Sequence, residues 1–156
     1  MKRVGTVVFA SLVALAGSSL IRGNSGTDGE VPSIMISPSV LVLGSYGKCV
    51  SIHSNIAYRS VIDPGTLTLR NDAGDEILVR GTFSDDIGDL VAKFDRKEVE
   101  SIVEVGTRID LTLTGLMWID ENEDGLLNEE EIFSFEATDA IKVIDPPKKR
   151  PLSSRG

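Results

Sequence analysis

The clearest indication of secondary structure in the chain is RIDLTLTGLMWI, residues 108–119. Its side chains alternate between apolar and polar, in the order Ile109, Asp110, Leu111, Thr112, Leu113 and Thr114. Successive side chains of a strand point to opposite faces of a sheet, so this alternation predicts a strand with one buried and one solvated face. The same alternation occurs upstream in TLTLR, residues 66–70. Both stretches therefore predict strands of a half-exposed sheet.

The remaining strand candidates are short apolar or alternating runs bounded by Gly, Pro, Asn and Asp turns. They lie at residues 34–37, 40–43, 48–54, 76–83, 90–94, 133–137 and 140–144. Seven to nine strands in one domain predict an all-β fold, a two-sheet sandwich, rather than a helical or parallel fold. Only residues 95–103 place apolar side chains at helical spacing, and we expect one short crossover helix there.

The composition is that of a globular chain with an acidic balance. The 156 residues carry a formal net charge of −8. Nucleic acid and anionic lipid would be repelled by such a chain at long range, so we expect neither as a partner. An acidic chain is better suited to cations. Cys49 is the only cysteine, so no intrachain disulfide can stabilise the fold.

The N-terminal segment has the layout of a secretory signal peptide. Lys2 and Arg3 precede an apolar run at residues 4–15, and small residues follow, with a predicted cleavage point after Ala16. The run is shorter than the roughly 20 residues that a membrane span needs, so an uncleaved anchor is the disfavoured alternative. We expect a secreted or periplasmic protein with no membrane association after cleavage.

One folded domain between two tails is the predicted organisation. The segments are a signal peptide at 1–16, a Gly- and Ser-rich flexible linker at 17–32, a β-sandwich domain at 33–145 and a disordered tail at 146–156.

The densest charge lies in DENEDGLLNEEE, residues 120–131, where seven of twelve side chains are acids. Carboxylate and amide oxygens at alternate positions can turn toward one point, a glycine permits a sharp bend, and a later glutamate can complete the shell with both oxygens. The predicted calcium ligands are Asp120, Asn122, Asp124, the backbone carbonyl of Leu126, Asn128 and Glu131. Asn128 is expected to act directly or through water.

This pattern resembles the EF-hand calcium loop. The flanking residues differ from that family, because strand alternation precedes Asp120 and resumes at Phe133 where helices would be expected. The stretch is therefore similar to the isolated calcium loops of dockerins and other secreted bacterial modules. We expect it to connect a β-hairpin whose strands end at Ile119 and begin near Phe133. The alternative interpretation is a solvated acidic turn, and Mg²⁺ is a less suitable occupant because it prefers a stiffer octahedral shell.

A broader resemblance covers residues 33–145. The run GDLVAKFDR followed by a predicted helix, then DLTLTG and AIKVID, resembles a module of secreted bacterial and archaeal immunoglobulin-like proteins. Within it, DDIGD at residues 85–89 is predicted to be a turn, and a second ion at Asp85, Asp86 and Asp89 stays an open alternative.

No catalytic residues are predicted. His53 shares a strand face with Cys49, but residues four apart on a strand lie about 13 Å apart, too far for a nucleophile–base pair. Trp118 is expected to pack on the hairpin, with a sugar-binding role as the alternative. The expected function is a non-catalytic, calcium-binding extracellular module whose partner is an extracellular protein or polysaccharide. Two alternatives stay open: a structural or adhesive domain with an incidental acidic turn, and a small hydrolase.

Overall fold

Alternating side chains form the strands of this chain, because each strand buries one face and leaves the other in water. The computed structural model describes residues 31–148. Its elements are β1 (Ile34–Ser37), β2 (Val40–Val42), β3 (Cys49–Ala57), β4 (Val61–Ile62), β5 (Thr68–Asn71), β6 (Glu76–Leu78), β7 (Gly81–Ser84), β8 (Asp89–Asp95), α1 (Arg96–Ser101), β9 (Gly106–Trp118) and β10 (Ile132–Ile144). Single 3₁₀ turns occupy Tyr58–Ser60, Pro64–Thr66 and Glu129–Glu131.

The strands form two sheets. One has the order β1-β3-β8-β7, and the other has the order β2-β10-β9-β5-β6, with β4 pairing with β9. All pairs are antiparallel except β2 with β10, which run parallel. This confirms the all-β, two-sheet sandwich. Ten strands form, against an expected seven to nine: β4 was not predicted, residues 76–83 divide into β6 and β7, and the predicted strands at 133–137 and 140–144 join into β10.

The core lies between the two sheets. Val50 and Ile52 of β3 are fully buried, as are Leu111 and Leu113 of β9. The alternate residues of these strands keep some solvent exposure. The alternation in the sequence therefore identified the core face of both sheets.

Residues 76–83 do not form one strand, which corrects the prediction. The chain changes sheets between two consecutive residues: the Val79 amide donates to the Leu67 carbonyl (2.9 Å), and the Arg80 amide donates to the Lys93 carbonyl (2.8 Å). A continuous run of strand-forming residues does not reveal a change from one sheet to the other, because the local pattern does not specify the hydrogen-bond partner of each residue.

Residues 133–137 and 140–144 are not separate strands, which is a second correction. The predicted break at Thr138 and Asp139 is spanned by pairing with Thr112 and Leu111 of β9. The Oδ2 of Asp139 accepts the amide of Ile36 in β1 of the other sheet (2.8 Å). The result is one 13-residue strand.

The expected helix at 95–103 is present as α1, Arg96–Ser101. Asp95 caps its first turn by accepting the Lys97 amide on Oδ1 (2.9 Å). Helical backbone stops at Ser101, and Ile102 and Val103 bury their side chains from the turn that follows.

The predicted signal peptide, nearly all of the linker and the last eight residues of the tail lie outside the described residues. Within residues 31–148, no helix has both the length and the apolar character that crossing a membrane requires.

Candidate metal centre

The acidic stretch connects the two long strands of the six-stranded sheet. β9 ends at Trp118, which pairs with Ile132 at the start of β10, and the Ile119 amide donates to the Glu131 carbonyl (3.0 Å). The strands thus end and begin one residue earlier than predicted. No α-helix flanks the loop, since only a 3₁₀ turn at Glu129–Glu131 precedes β10. The connection is a β-hairpin, as the alternation on both sides indicates.

In the first half of the loop, the predicted ligand side chains fold inward onto the backbone. Asp120 accepts the amides of Asp124 (Oδ1, 3.2 Å) and Gly125 (Oδ2, 2.9 Å). Asn122 Oδ1 accepts the Asp124 amide (3.0 Å), and Asp124 Oδ1 accepts the Leu126 amide (2.7 Å). Each oxygen has two lone pairs, so a backbone bond leaves capacity for a second partner.

Left-handed backbone at two positions produces the tight curvature. Gly125 has a φ of +72°, as its predicted role in the bend requires, and Glu123 has a φ of +57°. A non-glycine residue in this region is uncommon and costs about 1 kcal/mol. The hydrogen bonds of Asp120 and Asn122 to the neighbouring amides offset that cost.

In the second half of the loop, two predicted ligand oxygens accept hydrogen bonds from the same nitrogen atom, Asn128 Nδ2. The Asn128 side-chain amide donates to the Leu126 carbonyl (3.3 Å) and to Glu131 Oε2 (3.2 Å). Trp118 Nε1 also donates to Glu131 Oε2 (3.2 Å). These donors hold the carboxylate at the base of the hairpin.

Glu131 is buried although the rest of the loop is not. Its exposed fraction is 5%, and it is the one buried carboxylate among residues 31–148. No lysine or arginine in that part of the chain forms an ion pair with it. A buried carboxylate without a positive partner costs several kcal/mol, which hydrogen bonds from Trp118 and Asn128 offset only in part. Glu131 is therefore the carboxylate of the loop whose charge is least screened by solvent.

The six predicted ligands form two groups. Asp120, Asn122 and Asp124 surround the first turn, and Leu126, Asn128 and Glu131 meet at the base of the hairpin. A cavity of about 360 Å³ is lined by Asn122, Asn128 and Glu129 to Glu131, and so borders both groups. Across residues 31–148, no three His, Cys, Asp or Glu side chains lie close enough together to hold a metal ion. The three carboxylates of the predicted set are therefore separated.

The second acidic segment, 85–89, forms the turn between β7 and β8. Asp85 Oδ1 accepts the amides of Ile87 (3.0 Å) and Asp89 (2.9 Å), and Gly88 has a φ of +97°. These bonds account for Asp85 as a turn residue.

Cys49 and His53 lie on the face of β3 opposite the buried Val50 and Ile52, as predicted. Their register partners differ, because Cys49 lies opposite Asp95 and His53 opposite Val91. This places them at separate points on the sheet.

Two features of the structure were not predicted from the sequence. One is the bond from Trp118 to Glu131, which the spacing alone does not reveal because it depends on the hairpin register. The other is a groove lined by Lys48, Arg80 and Lys93, which are far apart in sequence.

Comparisons with protein-family models, curated proteins and solved structures found no match for this chain.

Proposed function

We propose that this chain is a secreted, non-catalytic β-sandwich module that binds one calcium ion in the loop at residues 120–131. The observation that carries the proposal is the buried Glu131 carboxylate, which forms no ion pair within residues 31–148. Its Oε2 and the Leu126 carbonyl both accept hydrogen bonds from the Asn128 side-chain amide. A donor group that bridges two acceptor oxygens occupies a position that a cation would also favour.

The proposed ligand set consists of hard oxygen donors. Asp120, Asn122 and Asp124 would contribute side-chain oxygens from the first turn. Glu131 and the Leu126 carbonyl would contribute from the base of the hairpin. Binding requires the separated carboxylates to turn toward a common point, and Asn128 would exchange its bond to Glu131 for a direct or water-mediated contact with the ion. All-oxygen ligation in a flexible loop favours Ca²⁺ over Mg²⁺.

The proposed role of the ion is to order the surface hairpin. Residues 121–130 are all solvent-exposed, so the apo loop gains little from packing. A single exposed loop is expected to bind with a Kd of about 10⁻⁴ to 10⁻³ M, which suits the calcium concentrations outside cells. The ordered hairpin would then present a surface to an extracellular protein or polysaccharide.

The experiment is a calcium titration followed by thermal unfolding and by tryptophan fluorescence. Trp118 is the only tryptophan and donates to Glu131, so its emission reports directly on the proposed site. Calcium should change the emission saturably and raise the Tm, because a ligand that binds only the native state stabilises it. Glu131→Gln and Asp120→Ala should each abolish both effects. In EDTA, Glu131→Gln should raise the Tm, because it removes the buried charge and keeps an acceptor for Trp118 Nε1. Asp120→Ala should lower the metal-free Tm, because the Asp124 and Gly125 amides lose their acceptor.

The matched control is Glu130→Gln, which removes the same charge from an exposed neighbour outside the ligand set. It should retain the calcium response. Absence of any response up to several millimolar calcium would overturn the proposal. The second candidate would then stand, namely a structural or adhesive domain with an incidental acidic turn, and the separation of the three carboxylates favours it.

A further inference from the structure

The acidic loop contains more charge and more apolar surface than calcium ligation needs. Four of its acids lie outside the ligand set and are exposed: Glu121, Glu123, Glu129 and Glu130. The side chains of Leu126 and Leu127 are 64% and 59% exposed. These two adjacent leucines give the loop a small exposed apolar area between its acids.

A groove on the four-stranded sheet has the complementary character. Its volume is about 340 Å³, and three of its five lining residues are cations: Lys48, Arg80 and Lys93 line it with Cys49 and Gly81. Lys48 and Lys93 form no ion pair within residues 31–148, and Arg80 pairs with Asp95 at 3.2 Å. On a chain of net charge −8, this concentration of cations attracts an anionic group.

Apolar side chains adjoin these cations. The register aligns Met35, His53, Val91 and Phe83 in one row on the side of the sheet away from Val50 and Ile52, and Val91 in this row is buried. Met35 is 63% exposed and Phe83 is 42% exposed. The Lys93 ammonium lies 4.9 Å from the centre of the Phe83 ring. The surface therefore combines cations with an apolar side chain. Both are needed to bind Leu126 and Leu127 together with the acids that flank them.

The loop and the groove lie toward opposite ends of β3. Cys49, which lines the groove, begins this strand, and Ala57 ends it about 26 Å away. Beyond Ala57, the chain reaches Val61, which pairs with Met117 at the base of the acidic hairpin. A loop so placed cannot fill the groove of its own chain.

We propose that the acidic loop of one copy docks in the groove of a second copy. The exposed glutamates would pair with Lys48, Arg80 and Lys93, and Leu126 and Leu127 would cover Phe83. Such a contact joins two different surfaces, so it is heterologous and leaves one loop and one groove available for further copies. It goes beyond the proposed function, because none of the side chains it uses is a predicted calcium ligand.

The test is sedimentation velocity of the purified full chain over a wide concentration range, in EDTA and in calcium. Association should increase with concentration and weaken with added salt, because the charges involved are exposed. Lys93→Glu and Leu127→Asp should each weaken association at least tenfold. Lys142→Glu, the same charge change at an exposed position of the other sheet, should leave it unchanged.

Mixing the two defective variants tests the geometry. Lys93→Glu retains an intact loop and Leu127→Asp retains an intact groove, so an equimolar mixture should form a dimer and stop there. A chain that remains monomeric at every concentration, or a mixture that does not associate, would overturn the proposal. Lys93→Glu should retain the calcium-induced rise in Tm, which separates this outcome from failure of the calcium site.

Discussion

The energetic cost of the Glu131 charge depends on the environment that the fold gives this residue. Its position after Gly125 predicts a calcium ligand, but the hairpin register determines that it is buried beside Trp118. The neighbouring Glu129 and Glu130 lie outside the base of the hairpin and are exposed to solvent. Burial makes the charge of Glu131 energetically expensive, and the same burial gives a bound cation its largest effect.

Trp118→Phe is the test at this scale. It keeps an aromatic ring and removes the Nε1 donor to Glu131 Oε2. A hydrogen bond to a charged group contributes about 1.5–3 kcal/mol, so the free energy of unfolding in EDTA should fall by about that amount. Urea unfolding followed by circular dichroism measures it. Tyr46→Phe, which removes a phenol from an exposed position, should change little; equal losses in both variants would contradict the assignment.

At the scale of elements, the β9–β10 hairpin organises the larger sheet. Its register brings Thr112 and Thr138 together on the solvated face, where they share a hydrogen bond of 2.7 Å. The pairing of β5 with β9 brings Thr68 and Thr114 together in the same way, also at 2.7 Å. The sequence predicted the strand and its wet face. It did not predict the pairing partner of each threonine, because a slip of register by two residues keeps the same side chains on each face.

Gly115→Ala tests the packing of this hairpin. A Cβ at Gly115 would overlap the Leu67 side chain and lie 2.9 Å from the Phe135 ring. Overpacking of this kind costs about 1–3 kcal/mol, so the denaturant midpoint should fall. Gly81→Ala, where the added Cβ meets no atom within 4 Å, is the matched control and should be nearly neutral. A neutral Gly115→Ala would mean that Leu67 and Phe135 can repack.

At the scale of the whole domain, Arg96 joins the two sheets. It begins α1 directly after β8 of the four-stranded sheet, and its Nη2 donates to the carbonyl of Val42 in β2 of the other sheet (2.7 Å) and to Ser45 Oγ (2.6 Å). Its Nε pairs with Glu100 at 3.0 Å. Arg96 is 7% exposed, so these partners must offset the cost of burying its charge.

Arg96→Ala should therefore be strongly destabilising. Removing one partner of a buried ion pair costs about 3–5 kcal/mol, and Glu100 and the Val42 carbonyl would lose their donor. Chemical denaturation measures the change in the free energy of unfolding. Lys97→Ala, at the exposed neighbouring position, should stay within about 0.5 kcal/mol of the wild type. A similarly small effect at Arg96 would show that the link between the sheets is dispensable.

Local sequence patterns were sufficient to predict the all-β class, the faces of the main strands, the short helix and the loop between β9 and β10. Each follows from a local period or a local turn signal, which a few consecutive residues specify. The tertiary structure decided which sheet each strand joins, as at Val79 and Arg80, and the burial of Glu131. It also assembled the groove of Lys48, Arg80 and Lys93. These features depend on contacts between residues distant in sequence, and the pairing register and sheet packing that create them are absent from any local pattern.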